Sequence, residues 1–460
     1  MSTKYKLKIA LTAFLFIYIP LSVVLKTDIY ICTEIIIFVF TILSFLMDAK
    51  NNIVIIGFLI CFFVFLMGGP VAQEYFNAVE KRTYTEDAVV HSHICIIVSL
   101  LTIYFSHFIL NHVRIGNKRY ICDKDTYEDD RPHYRVASKY AYWFTYFFKV
   151  LYIAHLALFV TSNSYMAFYT SYTKSAFWSI TEKIGDMSLV AISMFFATRP
   201  SKAESKPILV SYLIYAMLSL FTGRRFEAVF ICMFVIVVYT YRGWITRKHV
   251  TFILICIPFV MAGLQMVEIL RAGQGRTLST SGNIIVDFMN FVGGSNKIIR
   301  YGYMYRDSIP DYKFYSFGNV IEYFKYNPIS RYLFNLKTDR MSRVFEGNSL
   351  STIITYLWNQ SLFRAGNGLG SCYIAELYND FGYVGVVFGN FFLVFMLKKV
   401  VDLNSSSYIK RYLGLLILSP LFLTPRGNYS DALLYMINIY YWIMYWVIAS
   451  IAHKFAQTAP

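Results

Sequence analysis

The chain has 460 residues, of which 57% are hydrophobic, 19% aromatic and only 15% charged, with a formal net charge of +16. Soluble domains are about one quarter charged, so this composition excludes an ordinary soluble enzyme. Runs long enough to cross a hydrocarbon core of about 30 Å, which takes roughly 20 apolar residues in a helix, recur from end to end.

The expected fold is therefore an all-α, polytopic membrane helix bundle. Its first run, 9–25, lacks a small-residue cleavage site and reads as an uncleaved helix rather than a signal peptide. In chain order, about twelve transmembrane helices are expected, near 8–26, 29–47, 52–70, 89–110, 141–161, 183–199, 207–222, 225–241, 250–268, 377–397, 412–424 and 431–452. Lys and Arg concentrate in cytoplasmic connections. With the N-terminus inside, the inward connections are DAKNN, the basic stretch 112–139, RPSKAESK, YRGWITRKH, KKVVDLNSSSYIKR and the tail with Lys454. The opposite orientation puts nearly all of that charge outside.

The same parity turns three features outward: the turn 222–225, a loop from about 268 to 376, and the turn TPRGNYSD at 424–431. Residues 1–268 then hold transmembrane helices 1–9, residues 269–376 the large external loop, and residues 377–460 helices 10–12. The loop carries more Arg and Lys than acids, and long loops translocate largely regardless of charge. Its basic surplus suits either a solvated face against anionic lipid or an anionic ligand handled outside. Within it, SGNIIVDFMNFVGGSNKIIRYGYMY and NSLSTIITYLWNQSLFR have apolar residues at helical spacing but are too short to span, as for helices lying on the interface.

The stretch FTGRRFEAVF, 221–230, sets Arg224, Arg225 and Glu227 among apolar residues. Ionisable groups at membrane depth are costly and face a cavity or a partner. One reading is snorkelling to headgroups, or an Arg225–Glu227 pair. The other rests on geometry: adjacent helical residues point roughly 100° apart, so both arginines do not face lipid comfortably. Arginine binds phosphate oxygens bidentately and keeps its charge, which suits a diphosphate.

A second constellation is GNGLGSCYIAELYNDFGYVGVVFGN, 366–390, where glycines precede a helix with Glu376 and Asp380 on one face. Either carboxylate pairs with a loop arginine, Arg364 being nearest in sequence, or one accepts a proton from a sugar hydroxyl. In the second case Arg364 lends its charge to the same diphosphate, and Glu376→Gln abolishes the reaction. The third constellation is Pro425-Arg426-Gly427-Asn428-Tyr429, which reads either as interfacial anchoring by Tyr and Arg or as part of an anion site.

These residues carry a family resemblance. The GRR turn, the GLGSxxxAExYxDFGxxG pattern at 368–385 and PRG before the last helix resemble Wzy-type O-antigen polymerases. The layout of spans and outer loop is similar along the whole chain. The resemblance implies a GT-C-like membrane glycosyltransferase that joins oligosaccharide repeat units, each on undecaprenyl diphosphate, at the periplasmic side of the bacterial inner membrane. It implies a chain-length co-polymerase as partner, and no nucleotide sugar. Arg224 or Arg225, with Arg426, is then expected to hold the diphosphate, Glu376 to act as base, and Tyr429 to hydrogen-bond diphosphate or sugar. Trp358 and Tyr356 either stack on sugar rings or form the loop's own core.

Related O-antigen ligases carry a histidine in the large outer loop, and this chain has none between His249 and His453. A flippase is the rival from another class, but transporters set their charges near midplane in related halves. A third reading is a structural partner of a sugar-exporting complex, which tolerates loss of its arginines. No cofactor, metal or nucleic-acid partner is expected. The seven cysteines form no CxxC, His91 and His93 alone do not make a metal site, no P-loop appears, and the DxD at Asp123 and Asp125 sits in too short a loop for a nucleotide-sugar domain.

Overall fold

The computed structural model describes residues 29–76, 78, 84–112, 131–163, 172–246, 248–249, 251, 255, 260–265, 283–334, 340–364, 366, 368–405 and 407–458. Every regular element among them is helical. The expected span 8–26, most of 250–268 and the DxD lie outside the described residues.

Among the described residues, five helices are long and apolar enough to cross a membrane: Ile29–Leu46, Asn51–Phe76, Glu86–Leu110, Pro132–Asn163 and Tyr373–Val400. A sixth follows if Asp431–Ile437 and Ile439–Thr458, bent by 43°, form one span. All six coincide with expected spans, but the count of about twelve is not reached among the described residues. The expected span 183–199 is two helices, Ala176–Asp186 and Ser188–Ala197, meeting at Met187. The expected span 412–424 is likewise Tyr408–Leu416 followed by Leu418–Leu423. Pro420 explains that break, because its ring opposes the carbonyl four residues back, at Leu416. The runs 207–222 and 225–241 form Lys202–Phe221 and Arg225–Tyr241, of 20 and 17 residues.

The described residues fall into two compact units. The first draws on Met1–Asn117, Thr280–Lys399 and Pro420–Leu434. In it, helices Ile29–Leu46 and Glu86–His112 pack around Phe45, Phe58, Phe62, Leu66 and Val386, all 2% exposed or less. Residues 283–304 form two short helices, Ile284–Val292 and Asn296–Met304, and Asn283 caps the first with its side chain. They cross Asn51–Phe76 closely: a Cβ on Gly293 would stand 2.1 Å from the Gly69 amide nitrogen. A side chain there is excluded by backbone, not by a movable neighbour.

The second unit draws on Lys118–Ser279, Val400–Ser419 and Tyr435–Pro460. Pro132–Asn163 packs on Ala176–Asp186, where a Cβ on Gly185 would meet the Lys149 Cα at 2.9 Å. Lys202–Phe221 opens on a capping box from Ser201 and Glu204. It turns through Gly223, at φ 76°, into Arg225–Tyr241. Arginines of three expected inward connections converge in this unit. Arg199 donates to the Asn404 and Ser405 carbonyls, Arg242 to those of Arg199 and Pro200, and Arg411 to those of Ala197 and Ser405.

Candidate functional site

In the first unit the helix Tyr373–Phe395 is interrupted. Phe381 (φ −141°, ψ 16°) and Gly382 (φ 61°, ψ −152°) leave the helical region. Positive φ is cheap only for glycine, so Gly382 is the residue that permits the kink. The short part before it, 373–380, carries Glu376 and Asp380. The Gly-rich approach supplies two more positive-φ glycines, Gly366 and Gly370.

Glu376 is 1% exposed. Its Oε1 accepts from the Ser371 hydroxyl at 2.8 Å and its Oε2 from the Tyr429 amide at 2.8 Å. One carboxylate therefore ties the Gly-rich turn to the PRGNY turn. Asp380 ties a third segment: its oxygens accept from the Tyr315 amide at 2.9 Å, the Ser316 amide at 2.8 Å and the Ser316 hydroxyl at 2.6 Å. The partners of both acids are amides and serine hydroxyls rather than Arg364. Each oxygen of Glu376 thus accepts one hydrogen bond from a neighbouring turn.

The three segments also meet one another. Asp431 accepts from the Asn319 side chain and from the Asn428 amide, and Phe317 stands edge-on to Tyr429 at 6.3 Å. The Tyr429 hydroxyl donates to the Gly389 carbonyl at 3.1 Å, so this tyrosine is built into the helix packing. Arg426 ends the turn of 3-10 helix Thr424–Arg426; its guanidinium donates to the Val292 carbonyl at 3.4 Å and lies 5.7 Å from the Phe65 ring centre. Arg364 is exposed at the end of Gln360–Arg364. Trp358 packs against Tyr301, and Tyr356 lies between Phe345 and Phe363, which assigns both to the packing of this segment.

Two further polar groups occupy the same unit. His93 Nδ1 meets Glu34 Oε1 at 2.8 Å, both residues being buried. His91 Nδ1 meets the Tyr383 hydroxyl at 2.9 Å, with its ring stacked on Tyr303. The two histidines thus serve different neighbours.

Arg224 belongs to the second unit, where it precedes the helix Arg225–Tyr241. Its Nη2 lies 3.3 Å from Glu182 and its Nη1 3.9 Å from Glu227, and its guanidinium faces Tyr152. Each acid also has a lysine: Lys174 pairs with Glu182, and Lys149 reaches Glu227 at 3.2 Å. Burial pushes the Glu182 carboxyl up, but hydrogen bonds and charge from Lys174, with Tyr152 and Arg224, outweigh it and hold it below the usual range. Glu227, expected to pair with Arg225, is instead reached by Arg224, within a cluster of three cations. The side chain of Arg225 lies outside the described residues.

The residues missed from sequence are the partners: Ser371, Ser316, Asn319 and Asp431 around the carboxylates, and Lys149, Lys174 and Glu182 around Arg224. Lys149 had the same signal as Arg224, a lone cation in the apolar run AYWFTYFFKVLYIAHLALFV. Ser371 lies inside the Gly-rich motif itself.

A family model described as O-antigen polysaccharide polymerase Wzy matches residues 7–458, nearly the whole chain. No curated protein and no solved structure gives a significant match.

Proposed function

The chain belongs to the O-antigen polysaccharide polymerase Wzy family, and on that premise we propose that it polymerises oligosaccharide repeat units carried on undecaprenyl diphosphate, at the periplasmic face of the bacterial inner membrane. A hydroxyl of the incoming unit attacks the anomeric carbon of the growing glycan. The bond from that carbon to the diphosphate breaks with its electron pair on the diphosphate oxygen, the hydroxyl proton passes to water, and undecaprenyl diphosphate leaves. The chemistry needs no cofactor, because the leaving diphosphate supplies the driving force. The bundle is proposed as GT-C-like with about twelve spans, inserted as a multi-pass protein, with a chain-length co-polymerase as partner.

The observation that carries this reading is the Glu376 tie. It joins two of the three motifs that distinguish the sequence, the Gly-rich turn and PRGNY, through one buried carboxylate. Arg426 stands in the turn so held, and we assign it, with Arg364 of the same unit, to the diphosphate; Arg224 and Arg225, which belong to the second unit, are proposed separately as phosphate-binding residues. Charge gathers on the diphosphate as the leaving group departs, and fixed cations stabilise it most at that moment. Glu376 and Asp380 are assigned as positioning residues that hold the PRGNY turn and the 315–316 backbone in place.

The reading is tested by glycan ladders in a deletion strain. Loss of this protein should leave a single repeat unit on lipid A, and the intact gene should restore long chains. A strain with no O-glycan at all would instead mark a flippase or a ligase.

Orientation is tested separately. Arg199 and Arg411 share the Ser405 carbonyl and Arg242 binds the Arg199 and Pro200 carbonyls, so three basic connections meet in the second unit, which supports their common inward assignment. A reporter fused near Tyr323 should then be active only outside the cytoplasm. Cytoplasmic activity at that position would reverse the orientation and remove the proposed site from the periplasm.

A further inference from the structure

We propose that residues 312–317, together with Phe381, form an aromatic lip seated in the boundary between the hydrocarbon and headgroup layers of the bilayer. The strip exposes three aromatics and buries the residues between them, Ser316 included. Tyr312, Phe314 and Phe317 are 76%, 54% and 42% exposed, while Lys313 and Tyr315 are buried. The strip is fixed from inside by two backbone amides and the Ser316 hydroxyl, all donating to Asp380. It is fixed again by the Lys313 ammonium, which donates to the Phe345 and Gly347 carbonyls. Burial, and the charge of Lys325, push the Lys313 ammonium down. The one cation of the strip is thus turned into the protein, and the exposed row carries no charge.

Rigidly presented aromatics are costly in water but not against lipid. The row runs on into a face that meets lipid if the helix spans. Phe314 lies 6.1 Å from Phe381, itself 52% exposed at the kink. Below the kink, Val384, Phe388 and Phe392 continue at every fourth position, 62%, 70% and 40% exposed. The 19 residues from Gly382 to Val400 extend roughly 28 Å at the helical rise, about the thickness of the hydrocarbon core. That length is used up at Phe381, which sets Phe314 and Tyr312 at the interface, where tyrosine is favoured.

The test uses the full chain in nanodiscs whose phosphatidylcholine is brominated in the acyl chains. A fluorescent amino acid is introduced at position 312 or 314 by codon suppression. Phe388 serves as the hydrocarbon control and Asp307, whose side chain is 94% exposed beyond the strip, as the aqueous control. Bromine should quench emission at 312 and 314, as at 388, and aqueous iodide should fail to quench position 314. Quenching of 314 by iodide and not by bromine would overturn the proposal. So would iodide quenching that added soluble repeat-unit oligosaccharide relieves, since that marks a glycan platform instead.

Discussion

Glu376→Ala is expected to abolish long glycan chains, whereas Glu376→Gln is expected to retain them. The Ala variant leaves the Ser371 hydroxyl and the Tyr429 amide buried without their acceptor. An unsatisfied buried polar group costs about 1–3 kcal/mol, and the cavity adds to this. The PRGNY turn, with Arg426, is then no longer held on the Gly-rich turn. Glutamine keeps the tie, because its carbonyl accepts from Tyr429 while its amide donates to Ser371. From sequence alone, with Glu376 as base, the Gln variant is expected to be inactive. A lost base lowers the rate by about 10²- to 10⁴-fold, so the ladders separate the two roles. Long chains absent in Glu376→Gln, at wild-type abundance and thermal stability, would restore the base and sink the positioning role.

Arg426→Lys is expected to shorten the ladder sharply while membrane insertion stays normal. Lysine snorkels as well as arginine, so an anchoring residue tolerates the change. A residue gripping a diphosphate does not, because the planar fork sets two donors against two oxygens. Loss of one preorganised donor costs about 10²- to 10³-fold in turnover. Arg224→Lys is expected to act in the same direction. There the fork also spans Glu182 and Glu227, so chain length must be measured beside melting temperature. A fall in activity without a fall in stability marks the ligand. Near-normal ladders in both variants would return these arginines to interfacial and structural roles.

Much of the helical layout was legible because apolar runs such as 29–47 and 89–110 need only composition to be read. The broken runs were less so. The interruption at Ile417 follows from Pro420, a local signal visible in the sequence. The one at Met187 has no proline, and accompanies a close helix approach at Gly185. Glu376 and Asp380 were legible as a pair on one face. Their partners were not, because Tyr429 lies 53 residues away and Ser316 lies 64. Short-range spacing says which groups share a side, but the donors arrive through the tertiary fold. Arg224 repeats the lesson: Glu227 was expected to pair with a neighbouring arginine, Arg225, while Glu182, 42 residues before Arg224, was not foreseen at all.

The division of each unit into three separate stretches of chain has a consequence for biogenesis. Neither unit is a domain that the ribosome completes and leaves behind. The first draws on Pro420–Leu434 for its last piece, and the amide of Tyr429 that engages Glu376 is in that piece. The second takes its last piece from the stretch after that. During synthesis both remain unfinished until the final helices leave the translocon, so earlier membrane helices wait with open sides and buried acids exposed. A stalled or nonsense-truncated product lacking residues beyond 420 should therefore be recognised as a whole by membrane proteases, rather than surviving as one sound half.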